Sequence, residues 1–262
     1  MLAIIDLFGN SLIAAALLSV AIGIIGSIML INRYNYLAAS IAHGSYGGVG
    51  LALYFSLPLL LSTTLFALSL ALLLAFLTFK EPKRLDILIS VIWAMGMSLG
   101  IIFSDLTPGY HSDLLAYLFG DILLVPVSDL YYMIVVDIIV LLFVFRYFHY
   151  IIAIAYDKEF AIARNLPVKM IHTLILVLIA LTIVMSIRSF GLILVIALFS
   201  IPPFIAEKLT KSVKAMMVVS GIIAFLLIVA GLYIAYLFDI SATAAIILLA
   251  SFIFLLFFKG SK

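Results

Sequence analysis

Residues Ser11–Ile31 read SLIAAALLSVAIGIIGSIMLI, with no charged residue and no proline. A helix needs ~20 mostly apolar residues to cross ~30 Å of hydrocarbon, and this run has that length. It is too long for the apolar core of a secretory signal, and it follows Asp6 rather than a basic segment. The stretch therefore predicts a membrane span, and the rest of the chain repeats it. Of the 262 residues, 68% are hydrophobic and 10% are charged, against ~25% charged in an ordinary soluble domain. A soluble globular protein, a disordered chain and a nucleic-acid binder are excluded. The absence of cysteine excludes disulfides, thiolate metal sites and cysteine redox catalysis. No polar stretch is long enough for a second domain, so residues 1–262 are expected to form a single transmembrane domain.

Working outward from 10–32, apolar runs bounded by charges or turn residues predict spans at 37–57, 58–79, 86–104, 128–146, 170–187, 190–207, 215–237 and 240–258. The expected fold is an all-α integral membrane bundle of about nine transmembrane helices. The piece 114–124 is too short to cross and reads as a re-entrant or interfacial segment, which needs protein or a water-filled cavity around it. Pro202-Pro203 predicts a break in the span at 190–207. Nine crossings put all 14 Lys and Arg residues on one side except Arg188. The positive-inside rule then places the amino terminus outside and the carboxyl terminus in the cytoplasm. Asp105, Asp113, Asp121, Asp129, Asp239 and His111 gather at or near the outer side. Such a mouth attracts cations, although loops need polar residues in any case.

Residues 157–168 read DKEFAIARNLPV and are cytoplasmic by the same orientation. Asp157 suits a helix N-cap and Glu159 its first turn, because orphan amides and the helix dipole favour negative charge there. Asn165 tolerates the left-handed conformation that ends a helix, and Pro167 prevents continuation. A short helix of about two turns is predicted between two spans. It is either a bare surface helix or a docking knob for a cytoplasmic subunit.

This segment resembles the Asp-x-Glu-Phe-Ala-x-x-x-Gly-Leu-Pro coupling segment of ABC importer permeases for zinc, manganese or iron. The likeness continues in ALT at 180–182, GLILVIAL at 191–198, IPP at 201–203 and IAHG at 41–44. DLLAYLFGDIL at 113–123 looks most like the bacterial zinc-uptake permease. The resemblance covers nearly the whole chain. It implies a homodimer in the cytoplasmic or inner membrane that moves a divalent metal ion, with zinc favoured and manganese or iron as alternatives. It implies an ATP-binding cassette subunit docked on Asp157, Glu159, Phe160, Ala161, Arg164 and Asn165, and an extracellular or periplasmic binding protein that delivers the ion. ATP would be hydrolysed on that partner. The chain itself carries no Gly-x-x-x-x-Gly-Lys-(Ser/Thr) loop, and no covalently bound cofactor is expected.

The family expects a metal-coordinating Asp and His four residues apart, on one helix face. Here the His is His43, but the Asp position is Ala39. His43 is the candidate metal ligand, with Ser40, His111, Asp113 and Asp121 as further candidates along the pathway. Loss of a carboxylate weakens the case for manganese, which favours oxygen donors, more than for zinc, which accepts imidazole. A satisfied intramembrane histidine is the plain alternative. Asp121 is expected to cap a helix end and Asp113 to line an outer gate. Gly44, Gly47, Gly48, Gly50, Gly96 and Gly100 predict close helix packing. Asp137 is expected to hold an internal hydrogen bond, and Arg188 a polar partner near the outer interface. His149 and His172 are expected to be solvated near the cytoplasmic interface. A channel or secondary transporter without an ATPase is the competing class. An intramembrane protease is disfavoured, because Leu118 precedes Phe119-Gly120-Asp121 where Gly-x-Gly-Asp is required.

Overall fold

The structure, a computed structural model, describes residues 2–80, 85–108 and 114–259. Every regular element among them is helical. Seven helices are long and apolar enough to cross a membrane: Gly9–Asn32, Leu59–Lys80, Asp86–Asp105, Val127–Tyr156, Val168–Phe190, Leu192–Leu209 and Val213–Phe238. Two expected spans fall short of that length. The 37–57 run is interrupted at Ser45 into α3 (Asn35–Gly44) and α4 (Tyr46–Tyr54). The Ser45 hydroxyl donates to the Ala42 carbonyl at 2.7 Å, a local bond that competes with the helical ladder. The last run forms the apolar helix Ala242–Phe258, which is also shorter than a full span.

The described residues fall into two compact units. One comprises 1–31, 115–141 and 185–262. It opens with α1 (Leu2–Ala21), a π-helical turn (Ile22–Gly26) and α2 (Ser27–Asn32). The long helix α12 (Val213–Phe238) packs against α1, the π turn, α11 (Leu192–Leu209) and α13 (Ala242–Lys259). The expected proline break is absent, and α11 runs through Pro202 and Pro203. Pro203 has no amide for the Phe199 carbonyl. That oxygen lies against Gly26 of the π turn, where a Cβ would fall 3.0 Å from it and 2.7 Å from the Pro203 ring. Bare backbone thus accommodates the prolines.

In the same unit, α7 (Leu114–Phe119) is a single short helix, in keeping with a segment that does not cross. Gly120 and Gly191 both have positive φ, 63° and 75°. Their backbones cross so closely that a Cβ on Gly120 would lie 2.7 Å from the Phe190 carbonyl carbon. Only glycine fits both demands. Thr243 donates to the Phe119 carbonyl at 2.7 Å, and Asn10 to the Val125 carbonyl at 3.1 Å. Side chains of α13 and α1 therefore tie down backbone groups on both sides of the 120–124 turn. The polar partner of Arg188 is Asp129, 3.0 Å away and almost fully buried.

The other unit comprises 32–114 and 142–184. Here α6 (Leu85–Asp105) packs on α3 and α4, and α4 packs on α5 (Leu59–Lys80). A Cβ on Gly96 would fall 2.5 Å from the Gly44 Cα, and one on Gly50 would run into the Gly100 backbone, so the expected small-residue packing is present at both crossings. Helix α8 (Val127–Tyr156) and helix α10 (Val168–Phe190) each contribute residues to both units, with α9 (Lys158–Ala163) between them in sequence.

Candidate functional site

His43 lies in the last turn of α3, two residues before the interruption at Ser45. Its imidazole is half-buried and stacks on the Trp93 indole of α6, with centroids 3.8 Å apart and planes within 11°. Its Nδ1 is buried and makes no hydrogen bond. The indole Nε1 donates to the Met97 sulfur, one turn further along α6, at 3.2 Å. Ser40, one turn before His43, is fully buried and donates to the Ile89 carbonyl at 3.1 Å. Ser40 and His43 are thus neighbours on α3, and the serine hydroxyl proton is committed to backbone. Among the described residues, no three His, Cys, Asp or Glu side chains converge on a metal-sized site. One chain offers an imidazole donor here, which suits a borderline cation, but no closed cage.

His111 and Asp113 lie outside the described residues. Asp121 belongs to the first unit, is exposed, and accepts from the Leu123 amide at 3.0 Å. It braces its own non-helical turn, between Phe119 and Val127, rather than the helix end expected of it. Asp137 is buried on α8, and neither carboxylate oxygen has a hydrogen-bond partner, contrary to the internal bond expected.

The segment after α8 is organised as its local chemistry predicts. Asp157 is extended (φ −151°), and its carboxylate accepts from the Phe160 amide at 2.9 Å. Helix α9 is six residues long between its caps, close to the two turns expected. Asn165 ends it at φ 54°, and the Leu166 amide reaches back to the Ala161 carbonyl at 3.0 Å. Ala161 is fully buried and anchors the helix. Glu159 is exposed, Phe160 and Ile162 are about half exposed, and Arg164 lies 5.4 Å over the Phe160 ring. A cleft of about 780 Å³ adjoins the helix, lined by Phe79, Ile162, Leu166, Pro167 and Met170 among others. Lys158 and Lys169 bring their ammonium groups 5.1 Å and 6.0 Å from the Phe79 ring. The segment presents apolar side chains framed by charge.

His172 corrects an expectation. It is buried rather than solvated. Tyr34 meets its Nδ1 at 2.7 Å and Thr78 its Nε2 at 2.9 Å. The Thr78 hydroxyl is within 2.7 Å of the Leu74 carbonyl, and donating there leaves it accepting from Nε2–H. Nδ1 then accepts from the Tyr34 phenol, whose pKa burial pushes up to about 12. For the neutral imidazole, this arrangement puts the ring proton on Nε2. Trp93, Met97 and this network were not singled out from sequence, because each depends on contacts between separate helices or on a stack invisible to periodicity.

A family model described as "ABC 3 transport family" matches residues 5–260. A Chlamydia pneumoniae protein named "Probable metal transport system membrane protein" is 34% identical, over 90% of this chain and 83% of that one. The manganese transport system membrane protein MntC of Listeria monocytogenes is 27% identical, over 95% and 89%. Among solved structures, PsaBC from Streptococcus pneumoniae in complex with Fab superposes with a TM-score of 0.84 at 28% identity. That match covers 98% of this chain and 95% of the other.

Proposed function

The chain belongs to the ABC 3 transport family and is a multi-pass membrane permease of the metal-ion import type; from that premise we propose that it imports a divalent transition-metal ion, zinc in preference to others. It works as a homodimer, because one chain offers a single imidazole at His43 and a two-fold axis supplies the second. Ser40 lines the same helix, and Asp113, His111 and Asp121 belong to the outer approach. An extracellular or periplasmic binding protein delivers the ion. An ATP-binding subunit docks on Asp157, Glu159, Phe160, Ala161, Arg164 and Asn165 from the cytoplasm, where the carboxyl terminus also lies.

The observation that carries this reading is α9 itself. Its capped, anchored helix turns Phe160 and Ile162 outward beside an apolar cleft, in a chain with no phosphate-binding loop of its own. Ala39 supports zinc, since an imidazole site without its carboxylate suits zinc better than manganese. Manganese is the second reading, favoured by the name of the Listeria relative.

The test is ATP hydrolysis and uptake by the reconstituted permease with its ATP-binding subunit and binding protein, across zinc, manganese, iron and nickel. Zinc is expected to stimulate most strongly. A response to manganese alone replaces the ion and keeps the mechanism. A flat response to all four metals overturns the substrate class.

A further inference from the structure

Metal-binding histidines ordinarily donate their second ring N–H to a carboxylate or carbonyl, which fixes the tautomer and the ring plane. His43 lacks that support. Its Nδ1 is buried without a hydrogen bond, the residue one turn earlier that would carry a carboxylate is Ala39, and α3 ends one residue later at Gly44. A half-buried imidazole in that setting would be free to turn about its Cβ–Cγ bond. It is held instead by a face. The Trp93 indole lies parallel to the ring at 3.8 Å, and turning the imidazole means leaving that stack.

We propose that Trp93 is the positioning residue of the translocation pathway, clamping the His43 ring plane so that its in-plane lone pair meets the ion at a fixed angle. The indole is fixed in its turn by the Nε1 bond to the Met97 sulfur at 3.2 Å. Helix α6 is brought close enough for the stack by the Gly44–Gly96 crossing. Stacking suits this task because it occupies the ring face and leaves the ring edge open, where metal lone pairs lie. A hydrogen bond to the same ring would take one of its two nitrogens. The inference rests on His43 lining the pathway.

Trp93 is the only tryptophan of the chain, so the difference in emission between wild type and Trp93→Phe in the same complex reports on the stack. The experiment uses the intact permease with its ATP-binding subunit in proteoliposomes, with Zn²⁺ and Mn²⁺ supplied separately as the probe. For the transported ion, wild-type emission is expected to change on addition of the metal, and His43→Ala is expected to abolish the response. Trp93→Leu is expected to raise the KM for uptake about tenfold, within the ~10–100-fold cost of losing a residue that orients a metal ligand. Vmax is expected to stay near wild type. Trp93→Phe keeps an aromatic face and is expected to restore KM. An unchanged KM in Trp93→Leu, with uptake lost in His43→Ala, overturns the clamp and leaves His43 in the pathway. A fall in Vmax alone, or no rescue by phenylalanine, marks a merely structural tryptophan and overturns the clamp as well. Wild-type uptake by His43→Ala removes the pathway reading itself and the clamp with it.

Discussion

Two histidines of the same unit show how neighbours decide what an imidazole is for. His172 has both nitrogens engaged, by Tyr34 and by Thr78, so it has no lone pair to offer a metal. His43 has a buried nitrogen with no partner and an aromatic face against its ring, so its chemistry is unspent. Truncating His172 leaves the Tyr34 hydroxyl without this partner, at about 1–3 kcal/mol, while Thr78 keeps its bond to the Leu74 carbonyl. His172→Ala is therefore expected to lower the detergent unfolding midpoint clearly. Tyr34→Phe, which removes one hydroxyl and keeps the ring, is expected to cost less. The double variant is expected to be less destabilised than the two effects summed, since both remove the same bond. Additive losses in the thermal unfolding of the three variants would show that the bond carries no coupling.

Helix α9 was legible in the sequence because its signals are local. A capping aspartate, an acidic first turn, a left-handed asparagine and a proline occur within a dozen residues, and Asp157 and Asn165 adopt the roles their chemistry assigns. The same local reasoning misjudged Pro202-Pro203, since the glycine that accommodates them lies far off in the π turn. It also missed the interruption at Ser45, where one serine hydroxyl competes with the ladder inside an apolar run. The sequence did not announce His172, whose partners lie 138 and 94 residues away. A six-residue helix has too few bonds to stand without its cap and its buried anchor. Asp157→Ala removes a cap of about 1 kcal/mol, and it is expected to uncouple ATP hydrolysis from uptake in part while the protein still inserts in the membrane. Deleting 157–164 is expected to abolish coupling altogether. Normal transport by the reconstituted permease carrying that deletion would show that the ATPase does not act through α9.

At the scale of the molecule, sidedness decides which face can meet an ATP-binding subunit. Among the described residues, seven helices meet the length and hydropathy of a span, while the α3–α4 run and α13 do not reach it singly. Orientation therefore rests on the basic residues rather than on helix length. A polytopic protein is held in one topology by the cost of dragging Lys and Arg across the bilayer, and only Arg188 falls on the sparsely charged side of a nine-crossing path. Its pairing with the buried Asp129 fits that exception, since the pair offsets part of the charge's burial. The chain has no cysteine, so any single cysteine introduced is a unique label without background. Phe160→Cys, on the exposed face of α9, is expected to react with a membrane-impermeant maleimide only in inverted vesicles. Asp121→Cys, in an exposed turn, is expected to react only in right-side-out cells. Labelling of both from the same side would break the nine-crossing path between them and remove α9 from the cytoplasm. The docking of an ATP-binding subunit there would fall with it. Labelling from opposite sides fixes an odd number of crossings between residues 121 and 160, which α8 supplies as a single long apolar helix.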